Sequence, residues 1–202
     1  MVVYNIIVCK DKCGGIGIDG RVPWDIPWYN DYFDEKTMGS GNNAILMDEK
    51  TWINHFDNGN KILPGRDYII YSQDLNLHYN HDENTFVKSL KYISWGWHPN
   101  PQPGKKQDYR RNDIVLDTLV EIKNYDEIWV FGLGVLTERI YCMRRNAVDK
   151  VYVTTIRNRS YNCNQNFHIQ LLFTKSLGLE DEHITEDGIE LGRSVYKAYE
   201  TN

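Results

Sequence analysis

The residues able to do chemistry gather in three short stretches. The first, RVPWDIPWYNDYF, runs from Arg21 to Phe33 and sets Trp24, Asp25, Tyr29, Asp31 and Phe33 around the start of a helix. Successive helical residues turn by about 100°, so Tyr29 and Phe33 share a face and Asp31 lies about 200° round from Tyr29. Tyr29 offers a phenol, neutral at pH 7 with an ordinary pKa of about 10. Asp31 reads as a solvated carboxylate near a helix N-terminus, where the helix dipole favours it. The second stretch, Asp48-Glu49-Lys50-Thr51, follows the apolar run NAILM and reads as the acidic first turn of another helix. The third, Gly132-Leu133-Gly134, links an apolar run to a further helix start, and the N-terminus of such a helix suits an anion.

Other chemistries find no constellation. His78 and His81 are close but sit in a polar stretch without a third ligand nearby, so no metal site is expected. Cys9 and Cys13 have the wrong spacing and setting for a metal or redox pair, and no Ser-His-Asp triad can be assigned.

The elements that must position these residues alternate in type. Val2–Cys9 is β-branched and apolar, followed by a glycine-rich loop over 12–20. A helix is expected over 29–38, a strand at 43–47 and a helical turn in DEKTWINHF. After the Pro-Gly turn of LPGR, strands follow at 67–72 and 126–132, a helix at about 135–145, and a strand at 149–156. Asp187-Gly188, between two alternating runs, marks a closing hairpin. This alternation predicts a three-layer α/β/α domain with a mostly parallel sheet and a C-terminal β-hairpin.

At 202 residues the chain is read as a single domain, 1–202, with a long insertion at about 74–113. That insertion, rich in Pro, Gly, Asn and charge, reads as loop. Its Trp95 and Trp97 serve either as a contact surface for a partner or a second copy, or as packing onto the domain body. The net charge of −5 argues against a nucleic-acid partner, and the Lys105, Lys106, Arg110, Arg111 cluster reads as a solvated loop. No run approaches the roughly 18 apolar residues of a membrane span. The start MVVYNIIVCK lacks a basic region and a cleavage site. The four cysteines are therefore expected as free thiols in a cytoplasmic, reducing compartment, where the sequon at Asn158 has no meaning.

Six motifs in order, GIGIDGRVPWDIP, FDEKTMG, NNAILMDEKTW, LPGRDYIIYS, IWVFGLGVLTERIY and DKVYVTTI, resemble dihydrofolate reductase over most of residues 2–160. The resemblance implies that family's fold and, in an active member, hydride transfer from NADPH to 7,8-dihydrofolate, giving tetrahydrofolate for one-carbon metabolism. It places Trp24, Thr154 and the family's acid position, here Tyr29, at the reacting ring. Phe33, Arg66, Val8 and Cys9 would meet a folate-type substrate, Arg66 through the glutamate α-carboxylate. Lys50, Thr51, Ser72, Gly132, Leu133 and Gly134 would meet the cofactor.

Three departures affect different steps. The acid is a phenol. Asp48-Glu49 stands where the family has a glycine and a phosphate-binding cation. Leu133 replaces the second glycine of a pair that the family joins by a cis peptide bond. A fourth, Cys163-Asn164, falls where a Gly-Asp often braces the closed site. The expectation is a reductase-fold protein with impaired or absent catalysis, used as a binding or structural component, binding NADPH much more weakly than active members or not at all. The alternative is an active, NADPH-dependent reductase.

Overall fold

The computed structural model describes residues 2–57, 63–72, 87–91, 124–132, 148–167 and 173–198. The chain starts with β1 (Val3–Lys10), whose run of Val, Ile and Tyr suits a strand buried on both faces. Then come β2 (Gly15–Gly17), α1 (Pro27–Met38), β3 (Asn43–Asp48) and α2 (Glu49–Asp57). β4 (Arg66–Ser72), β5 (Val87–Lys91), β6 (Glu127–Val130) and β7 (Val148–Ile156) follow. β8 (Gln165–Asn166), β9 (Phe173–Ile184) and β10 (Glu190–Ala198) complete the series.

Eight strands form one sheet in the order β5-β4-β3-β6-β1-β7-β10-β9, and β2 pairs with β8 separately. The ladders from β5 to β7 are parallel, whereas β10 runs antiparallel to both β7 and β9. The mostly parallel sheet and the closing hairpin are therefore as expected. The helix foreseen at about 135–145 lies outside the described residues, as do Trp95, Trp97, His78 and His81. The 74–113 stretch is not all loop: β5 falls within it and pairs with β4. VKSLK hid from periodicity because it is short, rich in polar residues and sits at the sheet edge, where alternation is weakest.

Alternation along β1 splits the core. Tyr4, Ile6 and Val8 pack into one cluster with Ala44, Leu46, Ile128 and Val151. Ile7 and Cys9 join a second cluster with Met47, Trp52, Trp129 and the α1 residues Tyr29, Tyr32 and Phe33. α1 begins with Pro27, whose fixed φ suits the first helical position and whose missing N–H costs nothing there. It ends at Gly39, with φ of +52°. Its buried positions Tyr29, Phe33 and Thr37 recur every four residues and define the face it presents to the sheet.

Asp11 holds the segment after β1. It is fully buried, and its Oδ1 accepts the amides of Cys13 and Gly15, each at 2.8 Å. Its Oδ2 accepts the amide of Tyr161 at 2.8 Å. Three charge-assisted bonds thus join the glycine loop to the segment after β7. Asp11→Asn would turn an NH2 group against one of these amides. The expected cost is about 2–3 kcal/mol, the price range for a charged hydrogen bond lost at a buried site, read as a lower urea midpoint with unchanged m-value.

Candidate functional site

α1 and the ends of β1, β3, β6 and β7 frame the site. Trp24, Tyr29, Phe33 and Cys9 come together in one buried cluster. Thr154 joins them as the cross-strand partner of Cys9. Val8 does not: its side chain packs in the cluster on the opposite face of the sheet. Phe131, at the end of β6, places its ring 4.7 Å from that of Phe33. Tyr161 lies 5.1 Å from Trp24.

Tyr29 lies on α1, buried in the cluster with Cys9 and Phe33. Burial above all, and then the neighbouring Cys9 and Tyr32, push its phenol well above the ordinary value, so it stays neutral. Burial also pushes the Cys9 thiol up, with the adjacent Trp24 indole only partly offsetting it; Cys9 is thus a poor nucleophile. Asp25 and Asp31 are both exposed, and Asp25 accepts a 3.0 Å bond from the Asn30 amide. Neither supplies a buried charge. Among the described residues, the Tyr29 hydroxyl and the Thr154 hydroxyl have no hydrogen-bond partner, and the Trp24 indole N–H meets no oxygen or nitrogen. Buried polar atoms are normally satisfied, so these three fit a ligand with a polar, uncharged edge.

The first turn of α2 is built differently from the α1 face. Asp48 caps α2: its Oδ1 accepts the Thr51 amide at 2.7 Å, the standard N-cap bond to the third helical residue. Its Oδ2 faces Gly132, 3.3 Å from where a β-carbon would stand, with the Thr51 hydroxyl at 3.2 Å from the same point. Only glycine fits there, at a φ of +150°. Burial raises the Asp48 carboxyl above its ordinary value, while the Thr51 bonds and the Lys50 charge pull it back. Lys50, Thr51 and Gly132 therefore surround a carboxylate of the chain itself, which does not fit a dinucleotide phosphate at this helix N-terminus. Lys50 lays its stem across Gly20, 2.6 Å from that residue's would-be β-carbon. Ser72 ends β4, and Leu133 and Gly134 lie outside the described residues.

Arg66 is buried under the C-terminal half of α1. Its Nε donates to the Pro64 carbonyl at 3.1 Å and Nη1 to the Asp34 carbonyl at 3.0 Å. Nη1 also bonds the Thr37 hydroxyl, and Nη2 pairs with the Asp34 carboxylate. Asp34 and Phe131 escaped the sequence reading. Asp34 precedes no recognisable signal; its role follows from β4 meeting α1 in space. Phe131 was readable only as the end of an apolar run.

The glycine loop is braced at the position of the fourth departure. Asn164 donates from Nδ2 to Asp19 Oδ1 at 2.7 Å and accepts the Asp19 amide at 3.1 Å. Asn54, on α2, donates to the Gly20 carbonyl at 2.7 Å from the other side. Among the described residues no group of three or more His, Cys, Asp or Glu could hold a metal, and no helix is long and apolar enough to cross a membrane.

Asn164→Ala removes two of these brace bonds, both solvent-exposed. Amide exchange at Asp19 and Gly20 should then speed up about tenfold, while the global urea midpoint moves little, since local opening is independent of the core.

Comparison with known proteins agrees with this geometry. The chain is 28% identical over 193 residues to dihydrofolate reductase type 9 of Escherichia coli, covering 95% of this chain and 90% of that one. It is 25% identical over 195 residues to a putative dihydrofolate reductase of Caenorhabditis elegans, covering 93% and 88%. The fold matches dihydrofolate reductase from Enterococcus faecalis, solved with NADP(H) and RAB-propyl, with a TM-score of 0.67 at 17% identity over 98% of this chain and 97% of that one. Residues 3–171 match the family described as dihydrofolate reductase, and the chain belongs to that family.

Proposed function

We propose that this chain is a dihydrofolate reductase-fold protein with impaired catalysis, whose pocket binds a pterin-type ring rather than turning it over efficiently. The observation that carries this reading is Tyr29, buried, neutral and without a partner at the position where the family resemblance calls for a carboxylate. A neutral phenol cannot accept two hydrogen bonds with a full negative charge. Losing one preorganised electrostatic group of this kind costs about 10²–10³ in rate.

The cofactor seat adds a second, independent loss. A carboxylate about 4 Å from a phosphate charge, at an effective dielectric near 20, is repulsive by roughly 4 kcal/mol. Asp48, the N-cap of α2, would oppose any anion brought to the first turn of that helix. The second reading, NADPH-dependent reduction of 7,8-dihydrofolate, draws on the near full-length likeness to a reductase.

Titration with NADPH, followed by nicotinamide fluorescence, separates the two. Dissociation constants weaker than micromolar and a rate at least a hundredfold below that of an active reductase are expected. Micromolar or tighter binding with ordinary turnover would overturn the impaired reading. Asp48→Gly should tighten NADPH binding at least tenfold, because glycine is itself an acceptable N-cap and removes the charge at little cost to the helix. Tyr29→Asp should raise dihydrofolate turnover.

The 74–113 segment completes the reading as a contact surface for a partner or a second copy. Deleting 95–112 should leave a folded monomer and abolish association seen by light scattering. Association that persists in the deletion would remove this part of the reading.

A further inference from the structure

Three buried donors meet around Cys9. Thr154 is its cross-strand partner in the parallel ladder, so the two side chains share a face of the sheet. The Trp24 indole and the Tyr29 phenol both adjoin the Cys9 thiol. Tyr29 is 7% exposed and Thr154 1%, and neither hydroxyl has a hydrogen-bond partner among the described residues. Aromatic rings stand next to them. Phe33 lies 6.3 Å from Tyr29 and 4.7 Å from Phe131. Unmade donors beside flat rings point to a flat ligand that brings an acceptor.

Charge decides which ring that is. Among the described residues, the buried ionised side chains are Asp11 and Arg66. Asp11 is felt at Cys9, yet its oxygens are held by the amides of Cys13, Gly15 and Tyr161. Arg66 is enclosed by Pro64, Asp34 and Thr37. Beyond Tyr32, Arg193 is balanced by Asp181 and Glu180, while Asp25 and Asp31 are exposed. The titratable groups acting on Tyr29 are the Cys9 thiol and the Tyr32 phenol, both kept neutral by burial. A protonated ring placed there sheds its water and meets no carboxylate free to pair with it. Aromatic walls attract a cation, but more weakly than the hydration it has lost. A lactam carbonyl, by contrast, accepts from the hydroxyls and satisfies donors that are otherwise unmade.

We infer that Tyr29 is a specificity-determining residue: with Thr154 it makes the pocket take a neutral lactam ring and reject an amino-substituted ring in its protonated form. This rests on the reading of the pocket as a pterin-type site and adds the charge state of its ligand. A carboxylate at position 29 would do the opposite, holding the cation by a charge-assisted pair. The sign of the pH dependence follows. Only the neutral form of a basic ring enters, so its binding weakens about tenfold for each pH unit below the ring's own pKa. A lactam that stays neutral over the same range binds alike throughout.

The test uses two matched probes, 6,7-dimethylpterin, a lactam, and 2,4-diamino-6,7-dimethylpteridine, a base. Binding is followed by ligand fluorescence from about one pH unit below the base's pKa to about two above it. For the wild type, the base should bind about tenfold more weakly at the acid end than at the other. The lactam should stay within about threefold, which also shows that the site survives the acid. Tyr29→Asp should abolish the loss at the acid end. Tyr29→Phe, neutral and closer in shape, decides the matter if the aspartate variant unfolds. It should keep the base's pH profile and weaken the lactam about fivefold, the effect of one hydrogen bond. A wild type that holds the base equally at both ends, a lactam affinity unmoved by Tyr29→Phe, or no binding of either probe would each overturn the inference. Turnover with NADPH is measured separately. Ordinary turnover beside this pH profile sinks the impaired reading alone, and slow turnover beside a flat profile sinks this inference alone.

Discussion

The rotation of α1 about its own axis governs the site, and two arginines fix it. Arg66 grips the C-terminal half through Asp34 and Thr37. Arg193, carried on β10, grips the N-terminal half. Its guanidinium lies 3.3 Å over the Trp28 ring and 3.9 Å over that of Tyr32, and it donates to the Trp28 carbonyl at 3.2 Å. Cation–π contacts of this kind are strongest where water is excluded. The Tyr32 hydroxyl adds a 2.8 Å bond to Glu180 on β9, and His183 stacks on Trp28 at 4.9 Å. A turn of α1 by one residue would carry Tyr29 off the face and bring Trp28 or Asn30 round by about 100°. With a clamp at each end, that rotation is closed, and the phenol stays where it is.

The same clamps explain which parts of the architecture could be read in the sequence. β1, β3, β4, β6 and β7 announce themselves by short apolar runs between turn residues, and each forms within two residues of its expected bounds. Tyr29 and Phe33 could be placed on one helix face from spacing alone, and Asp31 on the other. The partners that complete the site were hidden for a physical reason. Asp34 acts through β4, Arg193 through the far hairpin, and Asn164 through a loop more than 140 residues from its partner Asp19. No local pattern encodes contacts at that separation. The two small strands, β2 and β8, are too short to show any period.

Apolar and charged residues around α1 play different parts in this chain. Trp24, Phe33 and Thr154 keep their places in the packed face or on its strands. The charged groups, by contrast, are turned inward on one another. Asp34 answers Arg66, and Asp48 answers the open amides of α2. Each pairing is favourable in itself: one neutralises a buried cation, the other satisfies a helix end. A ligand charge must therefore compete with interactions that already stabilise the folded chain.

The last strand of the sheet carries a different consequence. The ladder between β9 and β10 breaks register at three places, between Arg193 and Ser194, Val195 and Tyr196, and Lys197 and Ala198. At each break β9 spends an extra residue, and Gly178 adopts a φ of +128° beside the middle one. Bulges so closely spaced twist a strand and break the even spacing of its outward amides and carbonyls, leaving a poor template for another strand. Leu177, Leu179 and Ile184 are exposed along this border, yet the irregular backbone beneath them guards against fibre-like stacking of one molecule on the next.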